Sequence, residues 1–411
     1  MDAIICSPHR RGRLPGLLPG RNVFGAFRQR GGQPRVTSIM HVITGLGMGG
    51  AENTLLQTAV GLEQRGHAQR VFSLAGPGVV SELLEQAGVS VINLGVRSMI
   101  TAPAALSALI NSIRRDSPAI VQGWMYHGNV AATLASMLAR PGKPRRLIWN
   151  LRASNMDSIR YGRIMRWNAR LSRCAHTIVV NSQAGASFHR NIGFSEKRMR
   201  VIANGIDTMR FRPDGRAREV FRFEHGMASD ARIVLWIARV DPMKDHASFL
   251  AAMARLPKLQ GILVGAGTET LALPPNVRAL GFCRDLAKIY AAADIIVSSS
   301  AFGEGFPNVI VEGMSAGLVP VGTDVGDLRA IVGTDGEVVP PRDVDALTQA
   351  IARVAAHDAD SLRALGARAR QRVVANFGLS AMVDAYEHLY TQGALSGIAK
   401  KPNNELDLEA A

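Results

Sequence analysis

At 411 residues the chain is too long for one ordinary hydrophobic core and suits two domains of about 150–200 residues each. With 47% hydrophobic, 20% charged and 5% aromatic residues, it is too apolar for a disordered chain and too poor in aromatics for a β-sandwich or propeller. Its 48 Lys and Arg against 33 Asp and Glu leave a net charge of +15, which points to an anionic partner; no apolar run approaches the roughly 18 residues of a spanning helix.

Three scattered cysteines, Cys6, Cys174 and Cys283, have neither disulfide nor zinc-ligand spacing, so a reducing cytoplasm is the expected compartment. The charge is uneven along the chain. Residues 1–35 hold seven Arg and one Asp (+6), residues 36–204 hold 19 basic and 7 acidic (+12), and residues 205–411 hold 22 and 25 (−3). Generic coating of nucleic acid would not require such asymmetry.

Residues 1–35, rich in Arg, Gly and Pro, lack both periodicity and the apolar stretch of a secretory signal. They read as a disordered basic extension or as a start codon placed too early. A basic tail for membrane or RNA is the other reading. From Ile39 short apolar runs alternate with stretches of helical period, the mark of βαβ units and parallel sheets. IMHVIT, QRVFSL, VSVINL, AIVQGW, RLIWNL, HTIVVNS and MRVIAN are the expected strands of a first domain, residues 36–204. NGIDTMRFRPDG reads as a linker. RIVLWIA, QGILVG, VRALGF, DIIVSSS, LVPVGT and GEVVP then build a second domain, residues 205–378, and two terminal helices near 361–377 and 380–392 precede a polar tail, 393–411. The fold class is α/β, with two doubly wound Rossmann-like halves whose ligands belong outside the carboxyl ends of the strands, in the cleft between them.

IMHVITGLGMGGAEN places Gly45, Gly47 and Gly50 in G-x-G-x-x-G spacing between a strand and a helix. NAD binding would need an acid about 20 residues on, and QRVFSLAGPG supplies none. The turn either packs a helix on a sheet or presents the N–H groups of Gly49 and Gly50 to a phosphate or sugar. In DIIVSSSAFGEGFPNVIVEGM, Pro307 suits the first position of a helix, with Glu304 in the loop before it and Glu312 one turn inside. The N–H groups of Gly305 to Val309 are then expected to be open donors at a positive helix end, beside two carboxylates that accept from sugar hydroxyls. As a bare pair, the two glutamates are equally a solvated loop charge and a dipole partner.

These segments resemble the family-4 retaining glycosyltransferases of the GT-B fold. The resemblance runs from Ser38 to Gln392 and rests on Glu304 and Glu312 as an E-x7-E element, on Arg239 and Lys244 in IARVDPMKDH, and on the GMGGAE turn. It is nearest to bacterial enzymes of surface-polysaccharide assembly, through MHVITGLGMGGAE, IWNLR, VSSSAFGEGFPN and TDVGD. It implies a nucleotide-sugar-binding C-terminal domain, an acceptor-side N-terminal domain, and a last helix (379–392) crossing back to the latter. Arg239 and Lys244 would grip a diphosphate, as a bidentate fork and a point charge. Glu304 would hold sugar hydroxyls, Glu312 the ribose, and Gly305, Phe306, Pro307 and Asn308 the sugar and phosphate. Gly265, Gly267, Phe282 and Cys283 would frame the base. His127, in QGWMYHGNV, matches a histidine that reaches the donor sugar, and Arg152, in IWNLR, would meet a phosphate of donor or acceptor. On this reading Lys244→Ala costs activity far more than stability, because an exposed cation contributes little to folding.

The implied reaction moves a hexosyl unit from a nucleotide-diphosphate sugar to an acceptor hydroxyl with retention, by positioning and electrostatics and without a committed nucleophile. A GT-B nucleotide-sugar epimerase, an NAD(P)-binding protein and a basic RNA-binding protein are the alternatives, although RNA motifs and a Tyr-x-x-x-Lys pair are absent. Asp343-Val344-Asp345 and Asp358-Ala359-Asp360 spell D-x-D but fall at helix starts, where Asp caps N–H groups, so neither a metal nor a cofactor is expected. Between Arg140 and Arg173 ten basic residues face one acid. Arg160, Arg163, Arg166, Arg170 and Arg173 read as one helical stripe, with Ile164, Trp167 and Leu171 on another side toward the core. The stripe is either a solvated face or a platform for anionic lipid, which would place the protein peripherally on the inner face of the cytoplasmic membrane with a lipid-linked acceptor.

Overall fold

The computed structural model describes residues 36–47, 49–98, 100–139, 145–152 and 158–392. The expected basic extension (1–35) and tail (393–411) lie outside the described residues, as do Arg140 and Lys143 of the basic run. The chain divides into two units: one runs to Gly205 and resumes at Leu379, the other is Ile206–Gly378.

The first unit carries strands β1 (Ser38–Ile43), β2 (Ala68–Ser73), β3 (Ser90–Asn93), β4 (Ile120–Trp124), β5 (Arg146–Leu151), β6 (Thr177–Val180) and β7 (Met199–Val201). They form one parallel sheet in the order β3-β2-β1-β4-β5-β6-β7. The connections are helices α1 (Gly50–Glu63), α2 (Val79–Gln86), α3 (Ala102–Asp116), α4 (Met125–Leu138), α5 (Ser158–Leu171) and α6 (Gln183–Asn191). Helices on both faces bury the central strands, which is why β4 is buried at every position, its one polar side chain, Gln122, included. The last helix of the chain, α14 (Leu379–Gln392), returns to this unit. Its Met382, Val383, Tyr386 and Tyr390 pack on Ile39, Ile120, Ile148, Val179 and Ile202 of the sheet. Arg65 pairs with Asp384 at 2.6 Å, the His67 ring meets Glu387 at 2.9 Å, and Arg146 donates to the Leu389 and Tyr390 carbonyls at 2.8 and 2.7 Å. Two of the orphan carbonyls of the final turn are thereby satisfied.

The second unit opens with α7 (Gly215–Glu224) and carries β8 (Ile233–Ile237), β9 (Gln260–Val264), β10 (Val277–Ala279), β11 (Ile295–Ser298), β12 (Val319–Thr323) and β13 (Glu337–Val339). This parallel sheet has the order β10-β9-β8-β11-β12-β13. Its helices are α8 (His246–Ala254), α9 (Ala287–Ala292), α10 (Asn308–Ser315), α11 (Leu328–Val332), α12 (Val344–Ala355) and α13 (Ala359–Asn376). The segment expected as a linker is instead stitched into this unit. Phe211 is buried, its carbonyl accepts from Ser315 Oγ at 2.6 Å and from Arg370 at 3.0 Å, and Ile206 bridges Gly378. The strand order reverses between β1 and β4 in one sheet and between β8 and β11 in the other, and such switch points are where α/β sheets open a crevice at their carboxyl ends.

Candidate functional site

In the second unit the switch point gathers most of the expected residues. Strand β8 ends at buried Ile237 and, past buried Ala238, delivers Arg239 to the surface, 67% exposed, where its guanidinium meets Asp241 at 2.8 Å. Asp241 also caps a 3-10 turn, Pro242–Lys244, by accepting from the Met243 N–H at 3.0 Å. Asp245 follows in the left-handed region (φ 47) and caps α8 through the Ser248 N–H at 3.2 Å. That turn aims Lys244 across to the loop after β11, where its ammonium forms an ion pair with Glu304 Oε1.

Two serines at the end of β11 fix both partners. Ser299 Oγ donates to the carbonyls of Lys244 and Asp245 at 3.1 and 2.9 Å, and Ser300 Oγ donates to Glu304 Oε1 at 2.9 Å. Gly326 holds the loop from the other side. It adopts φ +68, and a Cβ there would sit 2.6 Å from the Glu304 carbonyl oxygen and 2.7 Å from that of Gly305. Lys244 and Glu304 are only 16% and 13% exposed, so the exposed cation expected from the sequence is a half-buried ion pair.

The tip of α10 departs from expectation in two ways. Pro307 is the cap residue and the helix begins at Asn308, whose N–H donates to the Phe306 carbonyl at 3.0 Å and so is not an open donor. The Phe306 ring is buried, edge-on to Phe377 at 5.5 Å, so this residue can offer a ligand its backbone but not its ring. One turn further, Glu312 Oε2 accepts from the hydroxyl of Tyr290 at 2.8 Å. Burial pushes this carboxyl up to about 7, against the pull of the Tyr290 hydrogen bond and of Arg210. Gly265 (φ +143) lies against the Ala238 carbonyl and the Arg239 N–H, a close approach only glycine allows, and it donates to the Gly281 carbonyl at 2.8 Å. Gly267 follows with φ +86. Phe282 is 59% exposed beside buried Cys283.

The first unit holds the remaining candidates at the carboxyl ends of its own sheet. Gly49 caps α1 in extended conformation, Gly50 opens the helix, and the Glu52 carboxylate folds back over Gly49, so a phosphate at this tip would meet a resident anion. Strand β4 turns into α4 within one residue, with Met125 in the left-handed region (φ 59), a strained conformation of the kind concentrated at functional sites. The turn leaves His127 exposed in the first helical turn, its imidazole held below the ordinary range by desolvation. Arg152 extends from β5 into a ring of neutral groups. It donates to Asn150 Oδ1 at 2.8 Å and to Asn204 and the Tyr386 hydroxyl, with the Trp124 and Tyr386 rings 5.8 and 5.9 Å from its guanidinium carbon. Burial pushes this guanidinium down, and the Tyr386 contact pulls it back up.

On the basic face, Arg163, Arg166 and Arg170 are exposed along α5, and the side chain of Arg160 lies outside the described residues. Arg173, expected on the same helix, falls in a separate 3-10 turn, Ser172–Cys174. Trp167, expected toward the core, is 59% exposed, because Met165 and Asn168 take the inward positions. Exposed Leu134, Met137 and Leu138 lie on α4, which packs against α5. Asp343 and Asp358 cap α12 and α13, through the Ala346 N–H at 2.8 Å and the Asp360 and Ser361 N–H groups at 3.0 and 2.8 Å. Among the described residues there is no cluster of three His, Cys, Asp or Glu able to hold a metal, and no helix long and apolar enough to cross a membrane. Cys174 and Cys283 are free thiols.

The sequence reading did not single out Ser299, Ser300, Gly326, Tyr290, Asn204 or Tyr386. VSSS and TDVGD carry the first three inside quoted motifs, but nothing in them names a partner.

A family profile described as Glycosyltransferase Family 4 matches residues 48–210, and one described as Glycosyl transferases group 1 matches residues 231–357. The chain is 29% identical over 238 residues to the D-inositol 3-phosphate glycosyltransferase of Mycobacterium marinum, a match covering 51% of this chain and 49% of that protein. It is 29% identical over 271 residues to the lipopolysaccharide core biosynthesis glycosyltransferase LpsE of Rhizobium meliloti, covering 61% and 77%. The chain thus spans about half the length of the first of these relatives and more of the second. Among solved structures, HepE of Anabaena in complex with UDP superposes with a TM-score of 0.76 at 22% identity, over 86% of this chain and 100% of that one. That likeness shows the fold.

Proposed function

We propose, for a chain that belongs to the GT-B glycosyltransferases through a Family 4 domain followed by a group 1 domain, that it transfers a hexosyl unit from a nucleotide-diphosphate sugar to an acceptor hydroxyl with retention. The observation that carries this reading is the Lys244–Glu304 ion pair at the switch point of the second sheet, ahead of α10 and its half-buried Glu312. A lysine ammonium has three donors, so Lys244 can keep Glu304 and still meet a phosphate oxygen. Arg239 adds an exposed fork that can leave Asp241 for a diphosphate. Glu304 then accepts from hydroxyls of the transferred sugar and Glu312 from the ribose.

In the reaction the bond from the anomeric carbon to the diphosphate oxygen breaks and a bond to the acceptor oxygen forms on the same face. The acceptor proton passes to the departing diphosphate. Lys244 and Arg239 stabilise the charge that develops there, and His127 is assigned to the sugar. The chemistry is read as metal-independent. The UDP complex of HepE and the lipopolysaccharide role in the name of LpsE support a nucleotide-sugar donor and a lipid-linked glycan acceptor. Exposed Arg163, Arg166, Arg170 and Trp167 support docking on an anionic membrane, with Arg152 at a phosphate of donor or acceptor.

The test is a thermal-shift series with UDP-, GDP- and ADP-sugars on the whole chain and on Glu304→Gln. One base should raise Tm in the parent chain, and clearly less in the variant. Equal shifts in both, or none in either, would overturn the reading.

A further inference from the structure

Tyr290 lies in α9 with 0% of its surface exposed, and its hydroxyl faces two acceptors: Glu312 Oε2 at 2.8 Å and the Val309 carbonyl at 3.3 Å. A phenol has one proton and cannot satisfy both at once. With Glu312 ionised, the shorter, charge-assisted bond wins and Tyr290 donates to the carboxylate. With Glu312 protonated, the carboxylic acid donates to the phenol oxygen and the phenol proton turns to the Val309 carbonyl. The two states differ by one proton, and the Tyr290 hydroxyl has an acceptor in each.

Both elements are rigidly seated. The Ala292 carbonyl at the end of α9 is clamped by Arg222 at 3.1 and 3.0 Å, and Phe211 meets the Tyr290 ring edge-on at 5.4 Å. Helix α10 lies so close on β11 that a Cβ at Gly313 would sit 2.8 Å from Ile296. Of the charged groups on neighbouring elements, Arg210 pulls the carboxyl down. Arg370 of α13 is engaged with the carbonyls of Thr208, Phe211 and Ser315, and Lys244 is engaged with Glu304.

We propose that Tyr290 is a positioning residue: its hydroxyl holds Glu312 as an oriented carboxylate for the nucleotide ribose and couples donor binding to release of a proton. The proposal rests on the assignment of Glu312 to the donor. A ribose hydroxyl donates to a carboxylate, so binding selects the ionised state, and Tyr290 occupies one oxygen while leaving the other to the ligand. The carboxyl value of about 7 means that both states are populated near neutrality.

Calorimetry of the full chain with UDP-glucose, whose doubly esterified diphosphate has no group titrating near neutrality, in two buffers of different ionisation enthalpy, tests this without any variant. Affinity should rise about tenfold between pH 6 and 8, with a proton released near neutrality. Tyr290→Phe removes the bond that favours the carboxylate. It should weaken UDP-glucose binding severalfold and move the pH dependence upward, while KM for the donor rises more than kcat falls. Glu312→Gln should weaken binding and flatten the profile. If Tyr290→Phe binds UDP-glucose with the parent affinity and pH profile while Glu312→Gln loses both, the positioning role fails and the donor site stands. If Glu312→Gln binds as the parent does, the donor assignment of Glu312 fails as well. Absence of proton release in the parent chain overturns the coupling.

Discussion

Lys244 and Glu304 come from opposite sides of the second sheet's switch point and close an ion pair in which Ser300 shares the same carboxylate oxygen. Because both side chains are largely buried, removing one leaves the other short of a partner in a medium that solvates it poorly. Lys244→Ala should therefore lose activity and also about 1–3 kcal/mol of stability, more than expected for an exposed cation. The double variant Lys244→Met with Glu304→Gln should regain most of that stability and none of the activity. Urea unfolding beside turnover assays separates the two effects.

Gly326→Ala tests the loop from outside the site. The left-handed backbone and the two carbonyl oxygens within 2.7 Å leave no room for the methyl group. We expect a loss of about 1–3 kcal/mol and a displaced Glu304 loop, read as a drop in Tm with at least a tenfold fall in kcat/KM.

The first unit should be acid-labile. His41 and His189 are buried as neutral rings and pushed down to about 4, by desolvation opposed respectively by hydrogen bonds to Gln69 and to the Gly185 carbonyl. The Trp124 indole donates to His41 Nδ1 at 3.1 Å, which leaves the proton on Nε2 for Gln69. Between about pH 6.5 and 4 the unfolded chain binds protons that the folded chain refuses, so stability falls as pH falls. Full loss of each contribution amounts to about 3 kcal/mol. Urea midpoints at pH 7.5 and 5 should differ, and a flat profile would contradict the neutral burial of these rings.

If the basic face docks on lipid, Arg163→Glu with Arg166→Glu should abolish flotation with liposomes containing anionic phospholipid, at about 1 kcal/mol per cation. Trp167→Ser should weaken it without changing its salt dependence. Turnover of a soluble acceptor should be unaffected by either change.

The central strands were legible because they are short segments dominated by apolar residues, as in Ile233–Ile237 and Ile295–Ser298, and Asp343 and Asp358 were legible as caps because capping is local. What stayed hidden depends on partners distant in sequence. Nothing in LAKIYAAAD announces that Tyr290 meets Glu312, nor in VSSS that Ser299 holds the carbonyl of Lys244. Helical periodicity placed Trp167 with Ile164 and Leu171, but the inward face is set by Met165 and Asn168, whose amide donates to the Tyr126 carbonyl at 3.1 Å. The open N–H groups expected at the tip of α10 were reduced by one backbone bend at Phe306, which the motif does not encode.

The return of α14 sets an order of assembly. Until residues 379–392 have left the ribosome, the face of Ile39, Ile120, Ile148, Val179 and Ile202 has no cover, and Gln122 and Asn150 wait for the hydroxyls of Tyr390 and Tyr386. The half of the molecule that is synthesised first is therefore completed last, and a chain stopped at Gly378 would expose that face as a sticky, chaperone-binding surface.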